Sequence, residues 1–309
     1  MQRIRFRSPH GHRVLIATLA ILFLMVAQAP AGTLDQIRQS GKLTIGYSAD
    51  ASPFSYRDTS GNAAGYAVAL GQKIAEQLKA DLKLHTLNVQ WVPVTKEGRF
   101  HDLQQGKVDL LCGADSETLA RRKIADFSIP IFPGGIAALV RTDSSRQLRE
   151  VLTKGQAVVS RPLWRGSPSQ ILGQQTFSVV TGTTSEKWLA GKLDKFQLSA
   201  KVAPVSSYAD GISRVLDGTS NVFFGERAII LDMIKRSPSA RDLIVLDRHF
   251  TNERIALALP RGNDDFRLVV DRTLSQLFNS PDFSYLYAKW FGEPDEFTLN
   301  FFSVNALPE

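Results

Sequence analysis

Residues 108–121, VDLLCGADSETLAR, are the stretch that decides the fold class. Residues 108–112 are apolar except for Asp109, which is the composition of a buried strand. A polar turn follows, and Thr118 is placed to cap a helix predicted over residues 118–125. A buried strand that leads through a turn into a helix is the repeating unit of α/β proteins.

The same alternation of strand and helix extends from this stretch in both directions. Towards the N-terminus, Tyr66, Leu70, Ile74 and Leu78 recur every four residues and form one apolar stripe of a helix. Further strands are predicted at residues 42–48, 89–94, 136–141, 177–180, 201–205, 222–224 and 255–259. Further helices are predicted at residues 100–105, 208–217, 227–235, 264–278 and 283–290, and one begins within residues 182–186. This order predicts an α/β fold in which mostly parallel sheets are flanked by helices.

The first 31 residues have the features of a secretory signal peptide. Four arginines, at positions 3, 5, 7 and 13, precede an apolar run over residues 14–27. Ala29 and Ala31 are small residues that suit a signal peptidase, and we expect cleavage after Ala31. The alternative is a membrane anchor, but the run is shorter than the ~20 residues that a bilayer-spanning helix needs.

Charge and cysteine content exclude several classes of function. The formal charge is +7, and it falls to +3 without the four arginines of residues 1–31, which contain no acidic residue. Such a small charge, with no run of five basic residues, gives no reason to expect nucleic acid binding. Cys112 is the only cysteine, so no intramolecular disulfide can form. His85, His101 and His249 are isolated in the sequence, so we expect neither a zinc site nor any cofactor.

Arg121 is the first candidate ligand-binding residue. It lies three residues after the predicted cap Thr118, so its guanidinium can reach back over the free N–H groups of the first helical turn. A carboxylate placed there would receive two parallel hydrogen bonds from the guanidinium. The alternative is an ordinary surface arginine, because Arg121, Arg122 and Lys123 form a basic cluster.

Two further candidate positions lie in the second half of the chain. The segment 181–186, TGTTSE, places Thr183 and Thr184 at the start of a helix, with Glu186 three residues after Thr183. This pattern is a capping box, and it also offers a second helix N-terminus for a carboxylate. Glu226 follows an apolar strand, where a carboxylate could pair with an ammonium group of a ligand. The alternative for Glu226 is favourable charge at a helix N-terminus.

Aromatic residues follow the first strand. Tyr47, Phe54 and Tyr56 lie within residues 46–56, and they could form the wall of a pocket. The alternative is that they belong to the core, where aromatic side chains are often buried.

Six segments together resemble a known family. They are residues 46–66 (GYSADASPFSYRDTSGNAAGY), 94–122 (VTKEGRFHDLQQGKVDLLCGADSETLARR), 126–128 (DFS), 181–186 (TGTTSE), 223–229 (FFGERAI) and 287–292 (YAKWFG). Their residues and their order resemble the polar amino-acid-binding proteins of ABC importers, the bacterial extracellular solute-binding protein family 3, and most of all its glutamate/aspartate binders. The resemblance runs from about residue 34 to residue 292, nearly the whole predicted mature chain.

The resemblance implies a two-lobed periplasmic-binding-protein fold of type II, with a ligand cleft between the lobes and two hinge crossovers. We expect residues 32–136 and 254–292 to form one lobe, residues 137–253 the other, and residues 293–309 a C-terminal extension. The implied function is that of a monomeric periplasmic protein, not an enzyme, that binds a polar or acidic L-amino acid by hinge closure. Its implied partners are the ABC permease subunits in the inner membrane.

The resemblance also implies roles for individual residues. Arg121 matches the arginine that binds the ligand α-carboxylate, assisted by Ser116 and by Thr183 or Thr184 from the other lobe. Glu226 matches the acidic position that binds the α-ammonium group, where relatives more often carry aspartate. Phe54 and Tyr47 match the aromatic wall of the site.

At the positions that contact the ligand side chain, this sequence departs from the glutamate/aspartate binders. Those proteins carry arginine at the position of Ser48, histidine at that of Tyr208 and serine at those of Ala114 and Lys96. Arg99 is kept. Arg99 and Lys96 are two cations that could hold a side-chain carboxylate, but glutamine, asparagine or another polar ligand fits nearly as well.

Two alternative functions remain open at this point. Some exported cyclohexadienyl or arogenate dehydratases resemble the same fold, and Glu226 or Asp115 could serve there as a general acid. A binding protein of this kind could also present its ligand to a membrane receptor instead of a permease.

Overall fold

The computed structural model describes residues 32–154 and 168–308, so the predicted signal peptide at residues 1–31 lies outside the described part of the chain. Within these ranges, two five-stranded sheets with flanking helices form the centres of two lobes. No helix of the two ranges is long and apolar enough to cross a bilayer.

The sheet of the first lobe contains β1 (Lys42–Tyr47), β5 (Asn88–Pro93), β6 (Leu110–Ser116), β7 (Asp126–Gly134) and β13 (Glu253–Leu259). Their spatial order is β5-β1-β6-β13-β7. β1 pairs in parallel with β5 and β6, whereas β13 lies antiparallel between β6 and β7. A small separate sheet is formed by β2 (Asp50–Ala51), β3 (Ser55–Arg57) and β4 (Ala63–Ala64).

The sheet of the second lobe contains β8 (Ile136–Arg141), β9 (Thr176–Val180), β10 (Lys201–Val205), β11 (Val222–Glu226) and β12 (Leu243–Val245). Their spatial order is β10-β9-β11-β8-β12, in which β9 pairs in parallel with β10 and β11, and β8 pairs antiparallel with β11 and β12. Each large sheet therefore has two parallel and two antiparallel pairings. The antiparallel pairings involve the strands next to the crossovers between the lobes, where no long helix returns the chain to the same edge.

The helices pack around these sheets. Those of the first lobe are α1 (Thr33–Ser40), α2 (Tyr66–Asp81), α3 (Arg99–Gln104), α9 (Asp264–Phe278), α10 (Asp282–Phe291) and α11 (Glu296–Asn305). Those of the second lobe are α4 (Arg146–Lys154), α5 (Pro168–Gly173), α6 (Thr184–Lys195), α7 (Tyr208–Leu216) and α8 (Arg227–Lys235). Among the described residues, single 3₁₀ turns lie at Arg121–Lys123 and Ala240–Asp242.

Helix α2 forms part of the core of the first lobe. The predicted apolar stripe is confirmed, because Tyr66, Leu70, Ile74 and Leu78 are all 0% exposed. Burying each such side chain contributes about 1.5–3 kcal/mol. Gly65 precedes the helix with a φ of 125°, and a Cβ there would lie 2.4 Å from the carbonyl oxygen of Phe54. Only glycine therefore allows the helix to begin so close to the loop after β2.

The helix predicted over residues 118–125 is wrong. This segment contains only the 3₁₀ turn Arg121–Lys123, although Thr118 Oγ1 still accepts a hydrogen bond from the Arg121 N–H at 3.1 Å. The segment closes this single turn and then leads into β7 at Asp126, which pairs with Leu259 of β13. The anion-binding site expected at a helix N-terminus is therefore missing here, and Arg121 can contact a ligand only through its side chain.

The two connections between the lobes contact each other. β7 ends at Gly134 and β8 begins at Ile136, so Gly135 alone joins the two sheets. The Ile136 N–H donates to Thr251 Oγ1 at 3.0 Å, and a Cβ on Gly135 would lie 2.2 Å from the Thr251 carbonyl oxygen. The second connection, which leads into β13, thus packs directly on the first.

The C-terminal helix α11 packs on α9 and α10 of the first lobe. Its Phe302 is 1% exposed, and the ring lies 4.7 Å from that of Phe278 and 4.4 Å from that of Phe283. Asp295 caps the helix by accepting a hydrogen bond from the Thr298 N–H at 2.8 Å. The segment beyond residue 292 is therefore a part of the folded body.

Candidate ligand-binding site between the lobes

Arg121 lies at the end of the first lobe that faces the second. Its Nη1 donates to the carbonyl oxygen of Ser116 at 2.8 Å, which ties the side chain to the end of β6. The guanidinium carbon lies 5.0 Å from the ring centroid of Phe100, a cation–π contact. Arg121 is a buried residue and not the surface arginine that the basic cluster also allowed.

The charge of Arg121 is only partly compensated. Burial lowers the pKa of Arg121 to about 10; Asp115 and Glu253 act against this shift, and Arg99 adds to it. The group is still cationic at neutral pH. It has lost most of its water, so an anion that reached it would be bound strongly.

Arg99, at the start of α3, lies on the same aromatic ring. Its guanidinium carbon is 4.8 Å from the centroid of Phe100, and its Nε donates to Asp115 Oδ1 at 2.5 Å. Arg99 and Asp115 are both buried, at 5% and 3% exposed. The group around Phe100 therefore holds two guanidinium ions, Arg99 and Arg121, and one carboxylate.

Glu226 ends β11 of the second lobe and caps α8. Its Oε2 accepts from the Gly135 N–H at 2.9 Å and its Oε1 from the Ala228 N–H at 3.4 Å. Burial raises the pKa of Glu226 to about 8, the two backbone N–H groups oppose this shift, and Glu253 adds to it. A cation placed beside Glu226 would remove the cost of ionising it.

Glu253, at the start of β13, is a site residue that the sequence reasoning missed. It accepts hydrogen bonds from Thr184 Oγ1 at 2.9 Å and from Thr251 Oγ1 at 2.8 Å. Its charge acts on both Arg121 and Glu226. No sequence motif surrounds Glu253. Its place at the start of β13, the strand that follows the second connection between the lobes, is the one feature that could have indicated it.

The lobes contact each other around these residues. Ser116 Oγ of the first lobe lies 3.5 Å from Thr184 Oγ1 of the second. Lys96 Nζ lies 5.7 Å from the ring centroid of Tyr208. A Cβ on Gly182, whose φ is 76°, would lie 2.9 Å from the carbonyl oxygen of Lys96. The described conformation is therefore closed.

Tyr208, the first residue of α7, faces both lobes. Its hydroxyl accepts a hydrogen bond from the Glu226 N–H at 3.4 Å. Burial raises the pKa of Tyr208; Glu226 and Asp50 add to this shift and Arg99 acts against it. The phenol therefore stays neutral and adds no charge to the site.

Thr183 and Thr184 have different tasks. Thr183 caps α6, because its hydroxyl donates to the Val180 carbonyl at 2.6 Å and accepts from the Glu186 N–H at 3.4 Å. Glu186 Oε2 accepts a hydrogen bond from the Gly182 N–H at 2.9 Å, one residue before the cap, so the box is closed through Gly182 and not through the N–H of Thr183 itself. The capping interpretation thus accounts for the Thr183 hydroxyl, and Thr184 is the threonine whose hydroxyl meets the other lobe.

Two of the three aromatic candidates, Phe54 and Tyr47, are buried in the first lobe. Phe54 is 0% exposed and packs its ring 5.0 Å from Phe132 and 5.3 Å from Phe291, so it belongs to the core. Tyr47 is also buried, and its hydroxyl accepts from Arg57 Nε at 3.3 Å. The structure therefore gathers Arg121, Arg99, Lys96, Ser116, Thr184, Tyr208 and Glu226 at the interlobe contact, and it leaves Phe54 away from it.

A cavity of about 480 Å³ in the second lobe is a separate feature. Its lining is mostly apolar and includes Phe177, Trp188 and Phe224, but neither Arg121 nor Glu226. A zwitterion there would lose water without gaining paired charges, which is costly. We therefore place the candidate site between the lobes. Within residues 32–154 and 168–308, no cluster of three or more His, Cys, Asp or Glu side chains could hold a metal ion.

Comparison with known proteins identifies the family. The model of the bacterial extracellular solute-binding proteins, family 3, matches residues 43–293. The chain belongs to this family. It is 26% identical over 285 residues to the L-glutamate/L-aspartate-binding protein of Pseudomonas aeruginosa, which covers 91% of this chain and 88% of the relative. It is 25% identical over 268 residues to the glutamate/aspartate import solute-binding protein of Salmonella typhimurium, which covers 87% and 82%.

A solved structure is similar along most of the chain. It is that of the ancestral amino acid-binding protein AncCDT-1, a precursor of cyclohexadienyl dehydratase, with a TM-score of 0.68 and 25% identity. The match covers 84% of this chain and all of that chain. The family resemblance and the two-lobed α/β fold predicted from the sequence are both confirmed.

Proposed function

We propose that this protein binds a polar or acidic L-amino acid between its lobes in the periplasm and delivers it to the permease subunits of an ABC importer. As a family member it is a solute-binding component of a transport system and not an enzyme. The names of the two curated relatives, both glutamate/aspartate binders, support an amino acid as the solute.

The observation that carries the proposal is the separation of buried charge at the interlobe contact. In the first lobe Asp115 forms an ion pair with Arg99, whereas Arg121 forms none within the described residues, although the charges of Asp115 and Glu253 act on it. Glu226 of the second lobe is a buried carboxyl group whose pKa is raised chiefly by burial and further by the charge of Glu253. An amino acid brings one carboxylate and one ammonium group, so it would pair a charge at each end.

Ligand binding is coupled to closure of the two lobes. Ser116 and Arg121 belong to one lobe, whereas Thr184 and Glu226 belong to the other. A ligand that contacts both sets stabilises the closed state over any open one, by its differential affinity for the two states. Lobe closure is thus the signal by which a permease could distinguish loaded from empty protein.

The proposal is tested first with a thermal-shift screen of the common amino acids, since a ligand that binds only the folded state raises its melting temperature. Calorimetry with the best ligand should then compare wild type, Arg121→Ala and the matched control Arg122→Ala. Arg122 is the next residue in the chain, and its side chain is half exposed and pairs with Glu117.

Removing one partner of a buried charge pair costs about 3–5 kcal/mol. Arg121→Ala should therefore weaken binding about a hundredfold or more, while Arg122→Ala should bind like wild type. Equal affinity of wild type and Arg121→Ala would remove Arg121 from the site. A chain that no amino acid stabilises would contradict the function itself.

A dehydratase function is the second candidate. The raised pKa of Glu226 favours it, because Glu226 could hold a proton and act as a general acid. Against it, both oxygens of Glu226 already accept backbone N–H groups, so the backbone occupies the two atoms that would have to exchange a proton with a substrate. Incubation with prephenate or arogenate separates the two, since the binding protein should form no aromatic product.

A further inference from the structure

We infer that the ligand carries an uncharged side chain with a hydrogen-bond acceptor, such as an amide, and that Asp115 and Asp50 set this selectivity by neutralising Arg99 and Lys96. The inference rests on the proposed function and narrows it. Arg99 and Lys96 are the two cations that could otherwise bind a side-chain carboxylate.

The first pair is fully buried. Arg99 and Asp115 are joined at 2.5 Å, and their side chains are 6% and 4% exposed. A buried guanidinium that already has a carboxylate offers little charge to a second one. A ligand carboxylate beside Arg99 would also lie beside Asp115, and that repulsion is strong where water is excluded.

The second pair is less buried, because its carboxylate is 36% exposed. Lys96 Nζ donates to Asp50 Oδ1, and the lysine side chain is 11% exposed. Lys96 also lies over the ring of Tyr208, and the charges of Asp50 and Arg99 both act on Tyr208. Lys96 thus lies against a tyrosine of the opposite lobe, and each of the two ion pairs has no net charge.

One donor at this end of the site is unused. The buried Nη1 of Arg99 has no hydrogen-bond partner among residues 32–154 and 168–308. A buried donor without a partner costs free energy, and a ligand acceptor that reached it would recover that cost. The Nη1 group thus favours a ligand that ends in a carbonyl or hydroxyl oxygen.

These features separate three classes of ligand. An acidic side chain meets two cations that are already paired, and it adds an uncompensated charge. A basic side chain brings only donors to Arg99 and Lys96, which are also donors and carry the same sign. A neutral side chain with an acceptor satisfies Arg99 Nη1 and leaves both ion pairs intact.

The test is calorimetry of wild type with glutamine, asparagine, glutamate, aspartate, arginine and lysine, followed by Asp115→Asn. Asparagine keeps an oxygen for Arg99 Nε and removes only the charge. The control is Asp102→Asn, since Asp102 lies on α3 and pairs with Lys107 at 2.8 Å. Asp50→Asn, at a half-exposed position, is a second variant in case Asp115→Asn fails to fold.

We expect wild type to bind an amide at least about tenfold more tightly than the matching acid, and either Asp→Asn variant to shift this ratio towards the acid by about tenfold or more. Asp102→Asn should leave the ratio unchanged. The inference is overturned if wild type prefers an acidic or a basic ligand, or if neither variant moves the ratio. If the preferred ligand is acidic and its binding still requires Arg121, the proposed function stands and only this inference fails. If the protein binds no amino acid, both the inference and the proposed function fail.

Discussion

Glu226 gives a prediction that couples stability to binding. Its pKa is raised from an ordinary 4.5 to about 8, chiefly by burial, so the folded protein holds a proton that the unfolded chain releases between these values. In that window the folded state binds more protons, and its stability falls as pH rises. Glu226→Gln has no such proton, so the variant should gain stability relative to wild type as the pH increases.

The size of the effect follows from the two pKa values. The difference between 4.5 and about 8 corresponds to about 5 kcal/mol in total. Between pH 5 and pH 9, about 4 kcal/mol of this should appear as a change in the free-energy gap between variant and wild type. A glutamine side chain can accept only one of the two backbone hydrogen bonds that Glu226 accepts. The lost hydrogen bond lowers the stability of the variant by about 1–3 kcal/mol at every pH.

The assay is urea unfolding of the ligand-free proteins at pH 5, 7 and 9. Glu76→Gln, a change on a side chain 62% exposed, is the matched control. Glu226→Gln should also lose most of its amino acid affinity, because the ligand ammonium loses its carboxylate. A stability gap that does not change with pH, or a Glu226→Gln protein that binds as tightly as wild type, would refute the reasoning.

Three further predictions concern other parts of the molecule. Ligand affinity should rise by up to about tenfold per pH unit between pH 6 and pH 8, because the ligand ammonium pairs with ionised Glu226. Calorimetry in two buffers of different ionisation enthalpy should detect the proton that binding releases, and pH-independent binding would contradict this. Gly182→Ala should weaken binding about tenfold or more, because its Cβ would lie 2.9 Å from the Lys96 carbonyl oxygen in the closed state. Small-angle scattering with ligand should then report a more open molecule, and a variant that closes like wild type would contradict this contact. Phe302→Ala should cost about 3–5 kcal/mol in urea unfolding, whereas Phe297→Ala, on the same helix but 69% exposed, should cost little; equal effects would show that α11 does not pack as described.

The fold could be predicted where a local pattern has one structural solution. The stripe of α2 repeats every four residues over a whole helix, and all four of its side chains are buried. The capping box at Thr183 and Glu186 is likewise a local signal. The helix after Thr118 could not be predicted correctly, because the start of β7, eight residues later, is fixed by its pairing with β13.

The site was harder to predict because its electrostatics depend on residues far apart in the chain. The sequence marks Arg99 and Lys96 as cations, but it does not reveal that Asp115 and Asp50 neutralise them. Glu253 is likewise brought to the site by the return of the chain into β13, after the whole second lobe. Pairing across such distances is a property of topology, and no spacing rule encodes it.

The claim that opposite ends of the cleft each pair one charge of a zwitterion is tested most directly by altering the ligand. Calorimetry should compare the best-binding amino acid with its α-amide and with its analogue lacking the amino group. Each analogue leaves one buried protein charge unpaired, so each should bind about a hundredfold or more weakly than the parent. If either analogue binds as tightly as the parent amino acid, the carboxylate or the ammonium group is not paired with a buried charge of the protein.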